Sequence, residues 1–124
     1  MIPLVSVAAF TTLEQLRAAV RAFAAERDWD QFHSPKNLAM ALSVEAAELL
    51  EHFQWLSEPA SRDLSSEQRS EVAAEMADVL IYLVRLADKL DVDLLQAAQA
   101  KMTVNAGKYP ADQVRGSARK YRER

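Results

Sequence analysis

Leu42-Ser43-Val44-Glu45-Ala46-Ala47-Glu48-Leu49-Leu50 and, further along, Val72-Ala73-Ala74-Glu75-Met76-Ala77-Asp78-Val79-Leu80 are the stretches whose reading decides the fold. Each sets two acids three residues apart inside an otherwise apolar run. That spacing puts both acids on one face of a helix, and neither run alternates as a half-buried strand would. Between them, Ser57 to Ser65 holds Pro59 and several small polar residues and reads as a turn. A short turn predicts antiparallel packing of its two helices. In such a hairpin, residues at one level share a constant sum of residue numbers. Glu45 with Asp78, and Glu48 with Glu75, share the same sum, and the implied turn centre falls between Ser61 and Arg62. The two acidic pairs are therefore expected at one height. Whether they face each other depends on helix rotation, which the sequence leaves open.

Their neighbours favour an inward reading. Four carboxylates beside an apolar surface repel one another and resist desolvation. A divalent cation relieves both costs, and an all-oxygen donor set without His or Cys selects a hard ion, Mg²⁺ or alternatively Mn²⁺. The competing reading is a solvated acidic face; it is common for one such pair and less so for two at matched height. His52 and Glu71 fall on the same level and read either as an outer shell or as a surface ion pair.

Working outward, the rest of the chain is also helical. Half of its 124 residues are hydrophobic, and only two are Gly. Thr11-Thr12-Leu13-Glu14 has capping-box spacing and opens a helix from about Thr12 to Arg27, with Leu13, Leu16, Val20, Phe23 and Ala24 on its inner stripe. Asp28 to Ser34 reads as a loop. Ser34-Pro35 starts a second helix, expected to reach about Leu56. Ser65-Ser66-Glu67-Gln68 offers a second capping box, for a helix to about Leu90. Asp91 and Asp93 can cap a fourth helix to about Val104, with Gly107 as its C-cap. Tyr109-Pro110 then opens an extended tail. The expected fold is all-α, a bundle of four to five helices in a single domain over residues 1–124, with 1–10 an N-terminal extension and 109–124 a basic tail. The second and third helices are apolar around much of their girth, which predicts a homo-oligomer built on helix packing.

Composition narrows the function. With no cysteine, a thiol nucleophile, a disulfide framework and a Cys-based zinc site are excluded; the expected setting is cytoplasmic. The first residues lack the pattern of a secretory signal, and no apolar run approaches membrane-spanning length. Net charge is −3, but the segment from Lys108 carries six basic and two acidic residues. An acidic body with a basic tail does not suit duplex DNA, so no nucleic-acid polymer and no membrane is expected as a partner. A di-iron carboxylate bundle would want two Glu-x-x-His motifs, and none exists here. A non-catalytic interaction bundle and a nucleotide sensor that binds without cleaving are the remaining rivals.

The two acidic pairs, together with Glu26-Arg27-Asp28-Trp29-Asp30-Gln31-Phe32-His33, Phe53-Gln54-Trp55, Asp78-Val79-Leu80-Ile81-Tyr82-Leu83, Lys101-Met102, Asn105, Tyr109-Pro110, Arg115-Gly116-Ser117-Ala118 and Lys120-Tyr121, form a longer pattern. It resembles the MazG-like all-α NTP pyrophosphatase superfamily from about Leu13 to Tyr121, and within it the branch that acts on dCTP. The resemblance implies a tetramer with shared active sites and hydrolysis of a (deoxy)nucleoside triphosphate, dCTP or a modified dCTP, to the monophosphate and pyrophosphate. A house-cleaning enzyme of broader specificity is the alternative. Glu45, Glu48, Glu75 and Asp78 are implied as catalytic Mg²⁺ ligands. Trp29, Asp30, Gln31, Phe32, His33, Trp55 and Tyr82 are implied around the nucleotide, with Lys101, Asn105, Lys108 and Tyr109 near sugar or phosphate. Two positions depart from the pattern. Val20 stands where dCTP-selective relatives carry a histidine, and Val44 where many members carry a further acid.

Overall fold

The computed structural model describes Val7 and residues 9–119, and these contain helices and no strand. The expected 1–10 extension falls mostly outside the described residues, as do Lys120 and Tyr121 of the tail. The chain divides into two compact units, one ending at Asp91 and the other beginning at Val92.

The first unit starts with α1, Leu13–Glu26. Its cap lies one residue later than expected: the Thr12 side chain accepts from the Gln15 amide, and the Gln15 side chain accepts from the Thr12 amide. Gln15 competes successfully with Glu14 because it also accepts from the Thr11 amide at 2.7 Å. Asp28, at φ 54°, takes the left-handed conformation that ends α1. A single 3₁₀ turn, Asp30–Phe32, leads to α2, Pro35–Glu51, capped by Ser34.

The expected extent of α2 to Leu56 is corrected to Glu51. Ser57 is the N-cap of a one-turn helix, α3, Glu58–Ser61. Its extended backbone, ψ 162°, is incompatible with continuing a helix, so residues 52–56 tighten into turns. The longest element, α4, runs Ser66–Lys89 with the Ser65–Gln68 capping box as read. Asp91, at φ 53°, terminates α4 rather than capping the next helix.

Within this unit α4 packs mainly against α2 and secondarily against α1. The buried apolar side chains are Leu16 and Ala24 of α1, Leu38 of α2, and Val72, Val84 and Ala87 of α4. Of the inner stripe expected on α1, Phe23 is instead exposed, while Leu13 and Val20 are half-buried. This is a small core for the amount of apolar side chain present, since Met40, Val44, Leu50, Met76 and Leu80 all remain exposed.

The second unit comprises α5, Leu94–Lys108, capped by Asp93, and the one-turn α6, Ala111–Val114. Gly107 is not a C-cap: α5 passes through it to Lys108, and Tyr109, at φ −127° and ψ 66°, has left the helical region that Pro110 disfavours for the residue before it. A helical turn thus replaces the start of the expected extended tail. Among the described residues no helix is long and apolar enough to cross a membrane.

Candidate functional site

The two Glu-x-x-acid spacings meet across the α2–α4 packing. Glu45, Glu48 and Glu75 are half-buried, and each offers a carboxylate oxygen within 4.8 Å of the others. Ligands on opposite sides of a Mg²⁺ lie roughly 4 Å apart, so a small inward adjustment of these side chains would let them hold one cation. Glu45 Oε2 and Glu75 Oε2 are buried without a hydrogen-bond partner. A buried carboxylate oxygen left unpaired is costly, and a cation is the partner this donor set suits. Burial first, then the Glu48 hydrogen bond and the charges of Glu48, Asp78 and Glu75, push the Glu45 carboxyl up to about 7.

Asp78 is exposed and stands outside the tight group, although its charge acts on Glu45. Its side chain is one methylene shorter than that of Glu, so it reaches less far from the same helical face. His52 does not pair with Glu71. Its Nε2 lies 3.8 Å from Glu75 Oε1, one turn further along α4. Matching heights by residue number ignores helix rotation and the tightened end of α2, and both shift this partner.

Trp29 and the 3₁₀ turn form a second cluster. Trp29 meets Phe23 edge-on at 5.8 Å and His33 at 6.4 Å, while the Arg27 guanidinium lies 3.5 Å over the Phe23 ring. Asp30 is bound by Arg85 at 2.7 Å and also by Lys89. His33 Nδ1 accepts from Arg85 Nε at 3.1 Å. The Gln31 amide is engaged locally, donating to the Asp28 carbonyl and carboxylate at 3.1 Å. Phe32 is exposed, and its carbonyl accepts from Asn37 Nδ2 at 3.0 Å. Sequence reasoning missed Arg85 and its partner Asp88, together with Arg21, which also binds Asp88, and Lys89, which also binds Asp30. The available signal was a charged residue within the apolar run Leu83-Val84-Arg85-Leu86-Ala87, with Asp88 three residues on.

Trp55 is 87% exposed. Tyr82 is half-buried, one turn beyond Asp78 on α4. Val20 lines an apolar groove of about 320 Å³ with Val7, Phe10, Leu16, Ala19, Phe23 and Ile81. That groove reaches Trp29 through their shared neighbour Phe23. In the second unit, Lys101 and Lys108 are exposed on α5, and Asn105 and Tyr109 are half-buried. The Tyr109 amide donates to the Asn105 carbonyl at 2.8 Å.

Residues 40–123 match the model of the MazG-like family. The chain is 49% identical over 114 residues to dCTP pyrophosphatase 1 of Homo sapiens, an alignment covering 90% of this chain and 67% of that protein. It is 50% identical over 112 residues to dCTP pyrophosphatase 1 of Mus musculus, covering 89% and 66%. The chain thus spans about two thirds of the length of these relatives. Among solved structures, a pyrophosphatase from Archaeoglobus fulgidus matches with a TM-score of 0.76 at 39% identity, over 85% of this chain and 99% of that one.

Proposed function

The chain belongs to the MazG-like family, and from that premise we propose that it is a Mg²⁺-dependent pyrophosphohydrolase converting a deoxynucleoside triphosphate to the monophosphate and pyrophosphate. The observation that carries this is the half-buried group Glu45, Glu48 and Glu75 with its two unpartnered carboxylate oxygens. Asp78 completes the donor set. A divalent cation held there supplies positive charge to the triphosphate oxygens and polarises them.

Among the chain's own residues, Glu45, Glu48, Glu75 and Asp78 would hold the cation and offset its charge. Glu45 or Glu48 orients a water and takes its proton. The water oxygen attacks the α-phosphorus in line, the bond to the bridging oxygen breaks, and pyrophosphate leaves with that electron pair. No side-chain nucleophile is needed.

Trp29 and Trp55 supply ring surface for the base, and Tyr82 a hydroxyl for the sugar. Asp30, Gln31, Phe32 and His33 form the wall beside Trp29. Lys101, Asn105, Lys108 and Tyr109 are assigned to sugar and phosphate, with lysines as point charges. dCTP or a modified dCTP is the leading substrate, and names of the relatives support that choice. Val20 brings no polar group to its groove, which favours looser base selection. The proposed assembly is a homotetramer with shared sites, and the proposed setting is the cytoplasm.

A pyrophosphate-release screen over the common NTPs and dNTPs with Mg²⁺ tests the reading. The expected result is pyrophosphate in equal amount to the monophosphate, fastest with a deoxypyrimidine triphosphate. Release of orthophosphate alone, or no release from any nucleotide, would overturn it.

A further inference from the structure

Taken as a whole residue, Arg85 is the one buried charged or polar residue among the described residues, at 4% exposure in the second half of α4. Each part of its guanidinium has its own acceptor. Nε donates to His33 Nδ1 at 3.1 Å, Nη1 to Asp88 Oδ2 at 3.1 Å, and Nη2 to Asp30 Oδ1 at 2.7 Å. Asp88, half-buried as a residue but with its side chain only 5% exposed, is held in turn by Arg21, with Arg17 at 4.0 Å. The fork is therefore anchored from both sides, by α1 through Asp88 and by the 3₁₀ turn through Asp30.

This anchoring has a chemical consequence for His33. A guanidinium has donors and no acceptor, so the hydrogen bond to Nδ1 can run in one direction only. Nδ1 must present its lone pair, and the single proton of a neutral imidazole must sit on Nε2. The charged groups facing the ring are Arg85 and Lys89 from α4 and Asp30 from its own segment. Burial, then Arg85 and Lys89, push His33 below its ordinary value, and Asp30 opposes them more weakly. Geometry and environment thus agree on one form, a neutral ring with one outward donor, held against the edge of Trp29.

We infer that Arg85 is a positioning residue that fixes His33 as an Nε2–H donor beside Trp29, so that His33 recognises a hydrogen-bond acceptor on the nucleotide base. This rests on the proposed nucleotide site. A base carbonyl or ring nitrogen is the acceptor, because a neutral imidazole offers a phosphate no charge. Selectivity then comes from an acceptor that an unsuitable base lacks, leaving a donor unpaired.

The experiment has a structural and a kinetic part. Long-range ¹⁵N–¹H NMR on the wild-type chain resolves the nitrogens of its two histidines, with His33→Gln for assignment. The expected result at pH 7 is His33 with bare Nδ1 and protonated Nε2. Arg85→Lys keeps a charge beside Asp88 and Asp30, and with it the fold, but loses the forked geometry. It should mix the tautomers and raise KM for the best deoxynucleoside triphosphate about three- to tenfold, the range of one neutral hydrogen bond. Its kcat should stay within about twofold, and inhibition by inorganic triphosphate should be unchanged. A proton on Nδ1 in the wild type would overturn the inference and leave the pyrophosphohydrolase reading intact. So would mixed tautomers with unaltered KM, while weakened triphosphate inhibition would move the contact to phosphate and overturn the base assignment. Failure of every triphosphate to turn over would instead defeat the functional reading, with the tautomer still decided by NMR.

Discussion

Glu45 illustrates how strongly the site depends on single side chains: one of its oxygens is buried without a partner, and three other acids act on its carboxyl. Glu48→Gln and Asp78→Asn each remove a donor charge while keeping the shape. Turnover should fall more than about a hundredfold in each, with the helical circular dichroism retained; a folded variant with wild-type turnover would refute the metal assignment. Trp55→Ala should raise KM for every accepted substrate, because ring surface is recognised by any base. Val20→His adds a polar group to an apolar groove and should sharpen the preference for cytosine. Comparing kcat/KM for dCTP, dUTP, dTTP and dATP in the parent and both variants checks these two expectations, and purines hydrolysed best would contradict the pocket. Asp88 carries a pH signature. The Arg21 hydrogen bond, ahead of the charges of Arg21, Arg85 and Arg17, holds its carboxyl below the ordinary 3.8. A lowered folded-state value stabilises the fold above 3.8, and that contribution disappears as pH falls through the folded value. Asp88→Asn should therefore lower Tm at pH 7, and the gap to the parent should narrow as the pH falls below 3.8. A gap that is constant with pH would show that Asp88 is not held as an anion.

At the scale of elements, helix starts were legible because a cap is a local device. Ser34, Ser65 and Asp93 each accept from the amide three residues on, as their types and positions suggest. Ser65→Ala should cost about 1 kcal/mol, read as a lower Tm with Mg²⁺ response preserved. Helix ends were less legible. Asp28 and Asp91 end helices by adopting positive φ, a use of Asp that competes with capping and leaves no distinct pattern. The acids come from both α2 and α4, so a bound cation ties the two helices together. Mg²⁺ at a hundred times its Kd should add roughly 2.7 kcal/mol to stability by mass action. Differential scanning fluorimetry should show this rise in the parent and little of it in Glu48→Gln, and equal rises in both would point to binding elsewhere.

For the whole molecule, the disproportion between apolar content and core is the main physical fact. Only six apolar side chains are buried among the described residues, while Trp55, Phe32, Met40, Val44, Leu50 and Met76 are exposed. Apolar surface on this scale favours association. Light scattering at micromolar concentration should give a mass several times 13.9 kDa, with four copies the expected number. A stable monomer would contradict both the tetramer and the sharing of sites between subunits.

The sequence by itself determined that the chain is helical and where most helices begin, and it led to the expectation that two acidic pairs, Glu45 with Glu48 and Glu75 with Asp78, stand at matched height on neighbouring helices. These depend on local periodicity, on side chains that cap their own backbone, and on a short connection between two helices, all written in adjacent residues. Only the tertiary structure decided helix rotation. It brought three of the acids within 4.8 Å, set Asp78 at the rim, and moved His52 onto Glu75. It also revealed Arg85, whose acceptors Asp30 and His33 lie 55 and 52 residues away in the chain. Contacts over that separation leave no periodic trace, because they are fixed by the packing of one helix face on another rather than by the neighbours of either residue.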